Sequence, residues 1–311
     1  VALKLFAGRS SLDLGKAIAA YLNQELGPIT IRNFSDGEIY VRYDENIRGE
    51  DVFIIQSTQP PAENLVELLL MLDAAKRASA RRVTAVIPYY GYARQDRKDQ
   101  PRVPISAKLV ADVIQAAGAD RILTMDLHSS QIQGYFNIPF DHLYARRVLI
   151  PRLQELKLKN PTVLAPDIGS VPLARSYAKL LGATLAMIDK RRPAPNRAEV
   201  MNLIGEVKNR EVLIMDDMVD TAGTLVAAAE TALEHGARSV MAACTHGVFS
   251  GPAVQRLHQA PITKMLVTDT LPMPASKRFP QLEIVSSAPL FGEAIRRIHN
   301  EESISILFNL E

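Results

Sequence analysis

Two adjacent carboxylates, Asp216 and Asp217, end a short apolar run, Val212 to Met215, and lead into Asp220, Thr221, Ala222, Gly223 and Thr224. Small and hydroxyl residues between a strand and a helix leave backbone N–H groups free. Those groups, with the helix N-terminus, suit a phosphate. The acid pair cannot hold that phosphate; beside one, carboxylates suit sugar hydroxyls. The stretch thus reads as a ribose-phosphate site. Read more plainly, it is an acidic strand end followed by a helix capped by Asp220 or Thr221.

Four further stretches carry residues of chemical interest, each with a plainer reading beside it. Lys190, Arg191 and Arg192 follow the apolar run 185–188, and Pro193, Pro195 and Asn196 then break regular structure. Three cations on a closing loop suit charge that builds on a transferred phosphoryl group, or they form a solvated basic surface. His128 and Asp167 each follow a strand end. An imidazole and a carboxylate with several waters suit Mg²⁺ on polyphosphate oxygens, although a single His more often serves as a hydrogen-bonder. Phe34, Asp36 and Glu38 flank the turn at Gly37. They offer a ring for a purine and carboxylates for an exocyclic amine, or they form only a good turn. Arg94, Gln95 and Asp99 follow the run 83–88. An Arg there pairs with phosphate oxygens or belongs to a basic surface patch.

The elements that must position these residues alternate. Leu3–Ala7, Ile29–Asn33, Ile39–Tyr43, Val52–Gln56, Val83–Pro88 and Ile122–Asp126 read as strands. Leu14–Glu25, Glu63–Ala78 and Ile105–Ala117 read as helices, which predicts an α/β fold with mainly parallel sheets. The order then repeats. ARRVTAV at 80–86 parallels ARSVMAA at 237–243, NIRGEDVFII at 46–55 parallels EVKNREVLIM at 206–215, and ILTMDLH at 122–128 parallels MLVTDTL at 265–271. So long a period is not a solenoid unit; it predicts two copies of one domain. Where the second copy has its acidic loop, the first has QSTQPPAEN at 56–64, so the first half is free for another task. The boundary is expected at 143/144, giving domains 1–143 and 144–311, with the C-terminal end packing back on the first.

Composition sets the bounds. At 311 residues, 47% hydrophobic and 23% charged, the chain is of ordinary globular character and long enough for two domains. A net charge of +2 with scattered Arg pairs argues against nucleic acid as a partner. Cys244 is the only cysteine, so no intrachain disulfide or Cys metal cluster is possible, and a reducing, cytoplasmic setting is expected. VALKLFAG lacks the apolar core of a signal peptide, and the run 65–75 is broken by Glu67 and Asp73, so no membrane span is expected.

Four of these stretches, FSDGE at 34–38, YARQDRKD at 92–99, DKRRP at 189–193 and DDMVDTAGT at 216–224, occur in the order found in one family. They resemble the ribose-phosphate pyrophosphokinases of the phosphate-regulated class, and the likeness runs from Leu5 to Phe308. The resemblance implies two tandem phosphoribosyltransferase-type α/β domains. It implies transfer of an intact pyrophosphoryl group from MgATP to the C1 hydroxyl of ribose 5-phosphate, giving phosphoribosyl pyrophosphate and AMP for nucleotide biosynthesis. Lys190 and Arg192 match the catalytic pair, and Phe34, Asp36, Gly37, Glu38, Arg94, Gln95 and Asp99 match the ATP site. Asp216, Asp217, Asp220, Thr221, Ala222, Gly223 and Thr224 match the ribose 5-phosphate loop, and His128 and Asp167 the Mg²⁺ ligands. Asp167, Ile168, Gly169 and Ser170 match the pyrophosphate loop with one departure, Ser170 standing where a second Gly is usual. Its Cβ either crowds the pyrophosphate or adds a hydroxyl donor. Arg48, Arg102, Ser303 and Ser305 match a regulatory site for phosphate or ADP, with Asn46 departing from Ser. A homohexamer built from dimers is also implied. One rival, a base-exchanging phosphoribosyltransferase, shares the acidic loop but has no use for FSDGE and DKRRP. The other, a binding or regulatory protein on the same fold, binds without turnover.

Overall fold

The computed structural model describes residues 1–191 and 200–308. The first half runs β1 (Leu3–Ala7), α1 (Leu12–Tyr21), β2 (Ile29–Asn33), β3 (Ile39–Tyr43), β4 (Asp51–Ile55), α2 (Glu63–Arg77), β5 (Arg82–Ile87), α3 (Ser106–Ala116), β6 (Arg121–Met125) and β7 (Phe140–Leu143). The second runs α4 (Arg146–Glu155), β8 (Pro161–Ala165), α5 (Val171–Leu181), β9 (Thr184–Arg191), β10 (Val200–Ile204), β11 (Glu211–Val219), α6 (Gly223–Glu234), β12 (Ser239–Gly247), α7 (Ala253–Gln259), β13 (Met265–Thr268), β14 (Leu282–Val285) and α8 (Ala288–His299).

The strand orders show the duplication. The first sheet is β1-β4-β5-β6-β7 and the second β10-β9-β8-β11-β12-β13-β14. Without its antiparallel β9–β10 edge, the second sheet repeats the first strand for strand, all parallel. The first half's counterpart of that edge, β2–β3, stands apart as a two-stranded hairpin. Strands buried on both faces need continuous apolar runs, as in residues 52–55 of β4, where every residue is buried.

Alternate residues of each sheet serve different cores. Leu5, Phe53, Val86 and Leu123 of the first sheet join Val163, Leu213, Ala243 and Leu266 of the second in one central core. Helices α1, α4, α5 and α8 fill the layer between the sheets, contributing Ile18, Leu153, Tyr177 and Phe291 among others. The opposite faces pack outward, the first on α2 and α3 and the second on α6 and α7. Helix α4 packs on α5 within the second half, whereas α8 crosses over and packs on α1 of the first. Polar bonds fasten α8 there. Arg82 donates to the Ile298 carbonyl (2.9 Å), and His299 Nδ1 meets Asp51 Oδ2 (2.8 Å). The burial of Phe291 and Ile295 stabilises the clasp by about 1.5–3 kcal/mol each.

Two expectations need correction. Strand β9 continues to Arg191, so Lys190 lies within it, opposite Met201, rather than on a loop. The cause is β10, whose antiparallel pairing supplies partners for three more residues than the apolar run suggests. Helix α1 spans Leu12–Tyr21, shorter at its C-terminus than Leu14–Glu25, because Leu22 closes it and the chain turns at Asn23 with φ 54°.

Candidate active site

Strand β11 carries Asp216 and Asp217 inside its ladder, where Asp216 pairs in register with Cys244 of β12. The chain then turns through Asp220, Thr221 and Ala222 into α6. Ala222 holds a left-handed backbone, φ 64° and ψ 2°, and no side chain caps the helix. The plain reading, a helix capped by Asp220 or Thr221, therefore fails. With no cap, the first N–H groups of α6 have no partner inside the helix. The left-handed turn before them makes the kind of concave backbone that receives an anion. Side chains brace the loop from outside. Arg256 donates to the Thr221 carbonyl (3.0 Å), the Ser250 hydroxyl bonds the Asp220 carboxylate, and Arg94 of the first half donates to Asp220 Oδ2 (2.7 Å). These bonds outweigh the burial that opposes the Asp220 charge, and its carboxyl falls below the usual range.

The acid pair is electrostatically divided. Burial, with the neighbouring Asp217 charge, pushes Asp216 up to about 8. Burial also opposes the Asp217 charge, but His128 outweighs it: Nδ1 lies 2.8 Å from Asp217 Oδ2, and the Asp217 carboxyl is held below its ordinary value. The same bond raises His128 above the ordinary imidazole value. At neutral pH the pair thus holds one charge and one proton, giving a donor and acceptors for vicinal hydroxyls. The Ser170 hydroxyl bonds Asp216 Oδ1 (2.9 Å) and Asp167 Oδ1 (3.0 Å). It is thereby a brace between the two loops.

A carboxyl raised in the native state keeps a proton that the unfolded chain has lost, so it lowers stability as pH rises from about 4 through about 8. Asp216→Asn is therefore expected to raise the melting temperature of the protein at alkaline pH, where the buried carboxyl is forced to ionise beside Asp217, by roughly 1.5 °C per kcal/mol relieved. The gain should vanish below about pH 4, where both carboxyls are neutral. Thermal scans across pH check this; a variant less stable at every pH would contradict the divided pair.

These groups face one cleft of about 1120 Å³ between the halves. Arg94 and His128 line it from the first half, and Asp167, Gly169, Ser170 and residues 216–224 line it from the second. A smaller hollow of about 260 Å³ adjoins it through Arg94 and His128 and holds Gln95 and Asp99. Lys190 reaches the cleft wall by donating to the Thr224 hydroxyl (3.0 Å). Arg192 lies outside the described residues. The hairpin residues Phe34, Asp36, Gly37 and Glu38 do not join the cleft; they are exposed at the tip of β2–β3. Ser303 and Ser305 bond each other (3.0 Å), whereas among the described residues no hydrogen bond joins Arg48 or Arg102 to them.

The expected metal ligands, His128 and Asp167, both line the cleft but are bonded to different neighbours. Among the described residues no three His, Cys, Asp or Glu side chains gather as a cage. Mg²⁺ does not need one, since it keeps several waters. The Asp217 bond fixes the His128 ring through Nδ1 and leaves Nε2 for a ligand, the usual device for orienting a metal-binding imidazole. The donors therefore fit the ion.

Sequence reasoning did not foresee the braces: Ser250, Arg256 and the ties Arg94–Asp220 and His128–Asp217. It also missed His246, which is buried and whose Nε2 lies 2.9 Å from the Asp126 carbonyl, joining the halves beneath the cleft. Each partner is distant in sequence, and no local pattern marks it.

Comparison with known proteins agrees over the whole chain. Residues 3–118 match the model for the N-terminal domain of ribose phosphate pyrophosphokinase, and residues 192–309 match that for the phosphoribosyl synthetase-associated domain. The chain is 56% identical over 308 residues to a ribose-phosphate pyrophosphokinase of Chlorobaculum tepidum, covering 99% of this chain and 95% of that one. It is 53% identical to that of Aquifex aeolicus, covering 98% of this chain and 99% of that one. Its fold superimposes on the crystal structure of phosphoribosylpyrophosphate synthetase from Mycobacterium smegmatis with a TM-score of 0.92 and 44% identity, covering 97% and 100%.

Proposed function

The chain belongs to the ribose-phosphate pyrophosphokinase family, and from that membership we propose how its residues divide the work. The reaction transfers pyrophosphate from ATP to the C1 hydroxyl of ribose 5-phosphate, producing phosphoribosyl pyrophosphate and AMP. The cleft supports this reading best: an anion-accepting turn lies beside a half-charged acid pair, with a loop for a second phosphate group across from it.

The 5-phosphate rests on the backbone of residues 220–224. Asp216 and Asp217 hold the ribose hydroxyls, which turns C1 toward the loop Asp167–Ser170. That loop takes the pyrophosphate. Arg94, Gln95 and Asp99, which line the adjoining hollow, take the rest of ATP in this reading. Lys190 and Arg192 meet charge on the transferred group. His128 and Asp167 would hold Mg²⁺, which would neutralise polyphosphate charge. The remaining work is positioning, as phosphoryl transfer commonly requires.

We divide the chain at 143/144, with α4 allied to the second half on which it packs. The site is assigned to the cytoplasm, since the lone cysteine, a buried thiol, suits a reducing compartment. Among the described residues no helix is long and apolar enough to cross a membrane. A homohexamer built from dimers is the proposed assembly, and the exposed aromatic hairpin supports a shared site within it.

Release of AMP from ATP and ribose 5-phosphate, with no nucleobase present, tests the reaction directly. Base exchange without AMP release, or tight binding without turnover, would overturn it. The same assay run across a phosphate titration is expected to show activation, with ADP inhibiting. Arg48, Arg102, Ser303 and Ser305 are the proposed anion groups. A flat response to both effectors would remove that site.

A further inference from the structure

The duplication places a counterpart of the active cleft in the first half, at the ends of β1 and β4, as the cleft lies at the ends of β8 and β11. The counterpart is filled. Gln56 stands where the second half has Asp216, is fully buried, and accepts from the Ser10 backbone (3.2 Å) and hydroxyl (2.7 Å). Its amide donates to the Asn64 carbonyl (3.1 Å) and to Glu67 Oε1 (3.2 Å). A Cβ built on Gly8 would lie 2.3 Å from Gln56 Oε1 and 2.8 Å from Glu67 Oε1, so no ligand fits there.

What fills the space is a carboxylate, Glu67, only 1% exposed. A buried carboxylate needs a cation and hydrogen bonds. Arg9 supplies both, through its backbone N–H (2.7 Å to Oε1) and its Nε (2.6 Å to Oε2). The Arg9 side chain is nevertheless half-exposed, because the far end of its fork leaves the plugged site. Nη1 donates to Asn33 Oδ1 (2.6 Å). Asn33 is the last residue of β2, directly before Phe34, and its amide crosses the turn to the Gly37 carbonyl (2.8 Å).

We propose that Glu67, Arg9 and Asn33 form a clamp that fixes the tip of the β2–β3 hairpin, making Arg9 and Asn33 positioning residues for the nucleotide contacts of Phe34, Asp36 and Glu38. This rests on the reading of that hairpin as an ATP element. The base of the hairpin has its own support. Strand β3 packs on α2, with Tyr43 donating to the Met71 carbonyl (2.8 Å). The tip, exposed from Arg32 to Glu38, has no core beneath it. A free tip would lose conformational freedom each time nucleotide binds, and a clamp removes that cost beforehand. The chain thus uses the spent site of its first half to hold the fastening for its nucleotide hairpin. The Arg9 fork is needed, since a lysine cannot serve Glu67 and Asn33 in one fixed plane.

The test uses the full-length enzyme with three variants. Asn33→Ala breaks the bridge, Arg9→Lys leaves a cation against Glu67 while losing the bridge, and Phe34→Ala marks the hairpin itself. Asn33→Ala and Arg9→Lys should each raise the KM for ATP roughly 3–10-fold, the effect of one lost hydrogen bond. The KM for ribose 5-phosphate and the kcat at saturating ATP should be unchanged, and the melting temperature should move by less than about 2 °C. Amide hydrogen exchange at 34–38 should quicken in both. An unchanged KM for ATP in Asn33→Ala, with a raised one in Phe34→Ala, would overturn the clamp alone. An unchanged KM in Phe34→Ala would overturn the hairpin's nucleotide role and the clamp with it. Parallel rises in both KM values with a lowered melting temperature would reduce Arg9 and Asn33 to ordinary structural residues.

Discussion

Lys190→Ala is expected to lower kcat by about 10²–10³ while the KM for ribose 5-phosphate stays near its starting value. The ammonium is held by a neutral hydroxyl, Thr224 Oγ1 at 3.0 Å, at the end of the loop 220–224. A hydroxyl is a weak competitor for a lysine. When negative charge grows on the transferred pyrophosphoryl group, the ammonium can leave Thr224 with little loss. Its contribution therefore belongs to the transition state, and its removal lowers kcat and not affinity. Strand β9 sharpens the expectation, because a lysine carried on a paired strand has a fixed Cα and only its side chain must move. Arg192→Ala should act in the same direction. Single-turnover measurements at saturating substrate decide the matter. Chemistry at the unmutated rate would exclude Lys190 from the mechanism, and a raised KM with normal kcat would make it a binding residue only.

The second large effect is a recovery of activity. Phe34→Ala combined with Asp36→Ala should inactivate the enzyme, as Lys190→Ala does. Co-refolding the two inactive proteins should restore part of the activity. The motivation is geometric: within one chain the hairpin tip is solvent-exposed and absent from the cleft, while Lys190 meets the cleft at Thr224. Phe34 is already preorganised. Its ring lies 5.7 Å from Tyr40 in an edge contact, and the Arg32 guanidinium sits 5.0 Å from its centroid. An exposed, ordered aromatic at the tip of a separate hairpin is better explained by a neighbour's site than by its own. If the hairpin acts across a subunit boundary, some mixed interfaces contain one composite site with no substitution. If it acts within its own chain, every site contains a defect. Native mass spectrometry must show that mixed oligomers form. Mixed oligomers with no activity would rule out the shared site.

The parts of this protein legible in its sequence are those with local causes. The buried strands are apolar runs, the parallel order follows from strand–helix alternation, and repeated segments such as 206–215 against 46–55 announce the duplication that the two sheets display. The acidic loop is legible because its residue types are rare at a strand end. Relations between distant residues were not legible. Val200–Ile204 carries too weak an alternation to reveal that it extends β9 past Lys190. The direction of the Ser170 hydroxyl depends on Asp216, which arrives from another strand. The charge on Asp220 is held by Arg94, which comes from the other half of the chain. Charge at this site is set by tertiary neighbours, so residue types named the chemistry without giving protonation states.

The crossed C-terminal helix limits how the enzyme can move. The second half ends by sealing the first, α8 on α1, and the two sheets share one central core, so a hinge between the halves would have to tear buried contacts. The cleft walls come from both halves and are already bonded across the gap at His128–Asp217 and Arg94–Asp220. A bivalve closure over substrate, common where two lobes share a site, is therefore closed to this architecture. Water must be excluded by short segments moving over a static frame, and the frame itself behaves as a single mechanical piece in spite of its duplicated plan.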